Sequence, residues 1–234
     1  MDFNDKHIKQ DILNSWRRCK KYGVSLYDFD KKLLMKPEDK EKYVLKYRPE
    51  YSDPQYQEFC KIVENLNINI SIYDKDAKLK YIVNYDDIYD ELYPKIGYFL
   101  DASEESIGTN STCLAILENK PFMVIGPDHY KYIFHQFSCA AAPFYDDNNE
   151  IAGTINASFL NTSINRDVLN VIYSLARLYE IMILKKASKT TMKNTQVKSI
   201  NQHRGFYTFN SILGESEAIM QSIKIAKKAA RADS

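Results

Sequence analysis

No run in this chain approaches the roughly 20 consecutive apolar residues that a membrane-crossing helix needs. Its opening residues, Met1-Asp2-Phe3-Asn4-Asp5, lack the basic-then-apolar order of a signal peptide. Glycine and proline are scarce, seven of each in 234 residues, which excludes a collagenous or low-complexity disordered chain. Net charge is almost absent: 32 Lys and Arg against 31 Asp and Glu leave +1, so no global field draws the chain onto nucleic acid. Cys19, Cys60, Cys113 and Cys139 form no C-x-x-C pair, and with no export signal they read as reduced, buried thiols of a cytoplasmic protein. What the chain does have is aromatics, 18 Tyr and 11 Phe, enough for a packed core with a small-molecule cavity.

Periodicity divides the chain. Ile8, Ile12, Trp16 and Cys19 recur at steps of three and four, which predicts a helix from about Lys6 to Tyr22 that ends at Gly23. Its lysines and arginines lie off the apolar stripe, and no second helix follows at helix-turn-helix distance. Residues 24–53 read as an irregular arm, so that 1–50 forms an N-terminal helix and arm. Asp53-Pro54 opens a second helix, with Asp as cap and Pro in the first turn. Ile68, Ile70 and Ile72 alternate with polar residues, a half-buried strand that returns over Leu79–Asn84 as a hairpin.

A short strand is expected over 96–100, a helix over 110–118, and strands over 122–125, 137–145 and 150–159. A long helix over 165–186 closes this unit. Val168, Leu169, Ile172, Leu175, Ala176 and Tyr179 make one of its faces, while Val171, Leu178, Ile181 and Leu184 fall elsewhere. A helix apolar on more than one face needs a second cover beyond the sheet. The first helix and a second copy of the chain are the candidates, which predicts a homodimer through the first and last helices. Residues 187–205 are a basic linker, and Phe209 to Ala230 reads as a strand-turn-helix opening. The unit 51–186 is thus an α+β domain with a mostly antiparallel sheet.

Polar and aromatic residues inside apolar strands need partners, which predicts a cavity on one side of the sheet. Tyr73, Tyr81, Phe99, Thr109, Asn110, His129, His135 and Cys139 are its expected lining. Gly108-Thr109-Asn110 enters a helix, where free N–H groups and two capping side chains suit an anion or simply cap the helix. His129, His135 and Cys139 are donors that could hold Zn or Fe, but four ligands in one shell are not evident, so no metal is expected. A catalytic Cys139–His pair is chemically possible, though Cys139 sits in a strand of small apolar residues, and no catalytic residue is assigned.

Several segments resemble one family. They are Asn14-Ser15-Trp16-Arg17-Arg18-Cys19 with Tyr22-Gly23-Val24, then Glu105 to Ser111, then Gly126 with His129-Tyr130, then Ser138-Cys139-Ala140-Ala141-Ala142-Pro143. Phe209-x-x-Ile212-Leu213-Gly214-Glu215-Ser216 completes the set. In order and spacing they resemble the N-terminal part of acetoin-catabolism-type sigma-54-dependent transcriptional activators. Asp128 and Phe137 depart from the Glu and Trp usual in that family, which bears on the ligand rather than the fold.

The resemblance implies a GAF-like antiparallel sheet of about five to six strands with flanking helices over 51–186. It also implies a truncated AAA+ entry over 206–234 and a small effector bound in the GAF cavity, with no other cofactor. The phosphate loop G-x-x-x-x-G-K-[ST] is absent from these residues, so the expected role is regulatory rather than enzymatic. In the family, sigma-54 RNA polymerase and DNA are contacted by parts beyond such a segment. The alternative reading on the same fold is a metal or redox sensor using His129, His135 and Cys139.

Overall fold

The structure, a computed structural model, describes residues 5–160 and 163–184, and side chains from residue 9 onward. The expected linker 187–205 and the 206–234 segment lie outside the described residues. The amphipathic start forms α1 (Asp5–Lys21). The stretch read as an arm is a chain of 3-10 turns around α2 (Lys40–Tyr43), and it buries Leu34, Met35, Val44 and Leu45 in the domain. Its buried apolar residues follow no period: most of the turns bury none of their own, and Leu34, Met35 and Val44 lie in the extended links between them. Next comes α3 (Pro54–Asn65), capped as expected by Asp53, which accepts the Gln55 N–H at 2.8 Å.

Five strands follow: β1 (Ile70–Asp74), β2 (Leu79–Val83), β3 (Phe122–Ile125), β4 (Phe137–Tyr145) and β5 (Ile151–Leu160). Between β2 and β3 stand α4 (Ile88–Leu92), α5 (Glu104–Ile107) and α6 (Ser111–Leu117). The chain then enters α7 (Arg166–Tyr179), which continues as a π-helical turn over Glu180–Leu184. The sheet order is β2-β1-β5-β4-β3 and every pairing is antiparallel. This is the α+β, GAF-like plan expected from the sequence.

The expected strand over 96–100 is instead a crossing segment held by single rungs. Met35 N–H donates to Tyr98 O at 2.8 Å and Leu79 N–H to Leu100 O at 3.0 Å. It runs between two partners and pairs continuously with neither.

The sheet is covered on both faces. On one, Ile70, Ile72, Ala140, Ala142, Ile155 and Ala157 meet α3 and α7 through Phe59, Val63, Leu169, Ile172 and Ala176. On the other, Phe122, Val124 and Ala141 meet α6 and Ile12 of α1, while Tyr73, Leu79 and Cys139 meet the 24–53 and 96–107 segments. α1 and α7 therefore lie on opposite faces, which corrects the expectation that α1 covers α7. The α1 stripe is spent within its own domain. Ile12 and Cys19 are buried, and Trp16 packs edge-on against Tyr130 with ring centroids 5.9 Å apart. The outer side of α7 keeps an apolar groove with α3, lined by Ile62, Leu66, Val171 and Leu178, and Ile181 beside it is 65% exposed.

Candidate functional site

Along a strand, side chains alternate between faces, so register decides what enters a site. Ser71 pairs with Asn156 and Tyr73 with Thr154 across β1 and β5, while Cys139 pairs with Ser158 across β4 and β5. Ser71, Tyr73, Cys139, Asn156 and Ser158 therefore share the face turned from α7. They floor a cavity of about 80 Å³. Its roof comes from Tyr89, Tyr98, Phe99 and Ile107, and its side from Ser111, His129 and Phe134. No Asp, Glu, Lys or Arg lines it among the described residues.

The floor is a hydrogen-bonded run. Ser111 Oγ donates to Asn156 Oδ1 at 2.8 Å, and Asn156 Nδ2 donates to Ser158 Oγ at 3.1 Å. The Cys139 thiol donates to the same Ser158 oxygen at 3.3 Å. Burial pushes that thiol up to about 11, so it is a packed thiol and not a nucleophilic thiolate. Tyr73 O–H donates to the Phe99 carbonyl at 3.1 Å, tying roof to floor.

His129 is 2% exposed, with Nδ1 3.0 Å from the Gly126 carbonyl. A carbonyl can only accept, so Nδ1 carries the proton, and in the neutral ring Nε2 is an acceptor. Burial, and then the nearby His135, pull its pKa down to about 4 against the backbone hydrogen bond, so the ring is neutral near pH 7.

Five of the eight expected residues line the cavity: Tyr73, Phe99, Asn110, His129 and Cys139. Tyr81 does not. It pairs with Ile72 and so takes the opposite face, where its hydroxyl donates to Glu50 at 3.1 Å. Thr109 turns toward α1, with its Oγ1 2.7 Å from Ser15 Oγ. His135 lies behind His129, donating from Nε2 to the His129 carbonyl at 3.1 Å.

The anion reading of the 108–110 loop also fails on geometry. Asn110 accepts the Cys113 N–H and donates to the Ala102 and Gly108 carbonyls, so its amide is occupied as a cap. Gly108 has φ +76° and ψ −167°, a glycine region, and a Cβ there would stand 2.9 Å from Tyr130 Cβ. No group of three or more His, Cys, Asp or Glu that could hold a metal occurs among the described residues.

Missing from the sequence reading are Ser71, Asn156, Ser158, Tyr89 and Tyr98. The signal for the first three was present: polar residues at every second strand position also mark the second face of a sheet covered on both sides. Missed as well is the clamp joining α1 to the cavity rim. Glu104, 5% exposed, accepts Arg18 Nε and Nη2 at 2.7 Å each and also the Ser15 hydroxyl. Thr109 O–H then donates to Ser15 Oγ, since the serine proton is committed to the carboxylate.

No protein-family model matches the chain. Among curated proteins it is 22% identical over 196 residues to the acetoin dehydrogenase operon transcriptional activator AcoR of Bacillus subtilis, covering 81% of this chain and 32% of that protein. It is 20% identical over 187 residues to a signal-transduction and transcriptional-control protein of Clostridium beijerinckii, covering 79% of this chain and 30% of the relative. The chain thus spans about a third of the length of these relatives. Among solved structures it resembles the Escherichia coli DhaR(N)–DhaL complex with a TM-score of 0.60, 16% identity and coverage of 79% of this chain and 64% of that one. That likeness is one of fold. No described helix is long and apolar enough to cross a membrane.

Proposed function

We propose that the chain is the sensing region of a cytoplasmic transcriptional regulator, and that the cavity on the α6 face holds its small-molecule effector. The observation that carries this reading is the cavity itself: partly open, largely apolar, with a hydrogen-bonded run of polar groups on its floor, and set on the strands that carry α7 on their other face. The two relatives, an operon's transcriptional activator and a transcriptional-control protein, support the regulatory half of the proposal.

The strands offer the route for a signal. Ser158 and Cys139 touch the cavity, while their strand neighbours Ala157 and Ala140 pack under α7. An effector changes the output only by binding one packing of these strands better than another. In the sigma-54 reading, α7 and the linker after it relay that difference to an AAA+ ATPase entered at 206–234. The sensing unit of this proposal takes in α1 and the 24–53 segment, whose side chains complete its core, and so begins before the expected boundary at 51.

Assembly belongs to it too. A second copy covers the α3–α7 groove, giving a homodimer through the last helix, with α3 in the place once expected for α1. The test of the sensing function is a thermal-shift screen of cytoplasmic metabolites against the chain and its Ser158→Phe variant. Stabilisation of the parent by a compound that leaves the folded variant unmoved is expected. A compound that stabilises both equally removes the cavity from the proposal.

A further inference from the structure

The geometry points to a gate over the cavity: residues 85–95, which carry α4, are the part of the roof that lifts, and Lys40 of the 24–53 segment is the cation that holds them down. The use of this gate as an effector's entry rests on the sensing proposal above; its motion does not.

Backbone bonding comes first. Among the described residues, the backbone–backbone hydrogen bonds of this segment close on itself. Tyr89 N–H donates to Asp86 O, Tyr93 N–H to Tyr89 O and Ile96 N–H to Leu92 O. Its backbone reaches outward through Asp86 N–H, which donates to the Tyr98 hydroxyl at 3.2 Å. On either side the chain is tied in: β2 pairs with β1, and Leu100 O accepts the Leu79 N–H at 3.0 Å. A segment with so few backbone ties to its neighbours opens locally at far less cost than the sheet beneath it.

Side chains supply the fastening. Tyr89, the one buried residue of α4, lines the cavity, with its ring 4.6 Å from that of Tyr98. Leu92 and Tyr93 lean half-buried on the same apolar cluster, while Asp86, Asp87, Ile88 and Glu91 are exposed. Across from them, Lys40 Nζ donates to Asp87 Oδ1 at 2.6 Å and to Asp90 Oδ2 at 2.9 Å, and lies 4.0 Å from the centre of the Tyr85 ring. Tyr85 O–H donates to Asp90 in turn. One ammonium thus grips three side chains of the segment. It stands on the fixed side, at the start of α2, whose chain bridges from Val44 to Ile82 of β2. Ion pairs this exposed contribute little each and weaken with salt. A gate needs that balance: shut at rest, and released at small cost.

Cys139 on the cavity floor reports the opening. It is 8% exposed and lines the cavity, whereas Cys19 and Cys113 belong to the α1 interface. Cys60 borders the same groove as Lys40 and is no control. Methyl methanethiosulfonate, a small uncharged thiol reagent, is applied to the chain, and peptide mass spectrometry reads the rate at each thiol. Lys40→Met should speed modification of Cys139 about fivefold, with Cys19 and Cys113 unmoved. Lys40→Arg should restore the parent rate. Raising salt from about 20 to 500 mM should bring the parent toward Lys40→Met and leave that variant unchanged. A Cys139 rate unmoved by Lys40→Met overturns the gate. So does an equal rise at all three thiols, which marks loosening of the whole domain. No effector is added, so a failed effector screen leaves these rates standing, and an absent gate leaves the cavity's sensing role standing.

Discussion

At the scale of single residues, His129 links the cavity to stability. Its folded pKa near 4 lies below the ordinary 6.5, so the unfolded chain takes the proton first as pH falls. Its contribution is therefore complete above about pH 6.5 and drains away toward pH 4. The shift corresponds to about 3 kcal/mol in all, of which roughly 1 kcal/mol is lost between pH 7.5 and 5.5. Denaturant unfolding of the parent and of His129→Gln at those two pH values checks this. The parent should lose that much more stability than the variant over the interval, and parallel losses would place the depressed pKa elsewhere. Thr109 and His135 show why the neighbours of such a residue misled. Both sit beside motif positions in sequence, but one turn of backbone directs each away from the cavity, and no periodicity records that.

At the scale of elements, α1 is held by chemistry as much as by its apolar stripe. Glu104 collects Arg18 and Ser15 at the foot of α5, three residues before the cavity-lining Ile107. Removing one partner of a buried pair costs about 3–5 kcal/mol, and about 2 kcal/mol is expected here because Arg18 keeps part of its side chain in water. Its side chain is 32% exposed. Glu104→Ala should lower unfolding free energy by that amount and speed hydrogen exchange in α1 before α7; unchanged α1 exchange would show that Trp16 and Ile12 suffice.

The elements themselves were largely legible. The Asp53-Pro54 cap, the alternation at Ile70 and Ile72, and the two long strands stand where periodicity puts them. The cavity was not. Ser71, Asn156 and Ser158 carry the same alternation as strands with one wet face, and the cover that keeps them dry comes from 24–53 and 96–107, which have no period to read.

At the scale of the molecule, the unspent surface is the α3–α7 groove. Leu178, Val171 and the exposed Ile181 border it, and a patch of this kind favours association. Light scattering at micromolar concentration should report a dimer, and Leu178→Asp should shift it toward monomer; a dimer untouched by that change lies on another surface.

The opposite side of the molecule is closed by a different device. Lys131 is 1% exposed, and its Nζ donates to the Ser25 and Asp28 carbonyls at 2.7 Å each. Its ammonium ties the 24–53 segment across the domain. Burial pulls its pKa down, yet no reagent can reach it while that segment stays in place. Lys131 is therefore a built-in clock. Amine-acylating reagents should label the exposed Lys20, Lys21 and Lys32 at once, and Lys131 only as fast as the N-terminal segment lifts away. Peptide mass spectrometry over a labelling time course would time that opening without any mutation, and the rate with and without a bound effector would show whether occupancy of the cavity fastens the segment above it.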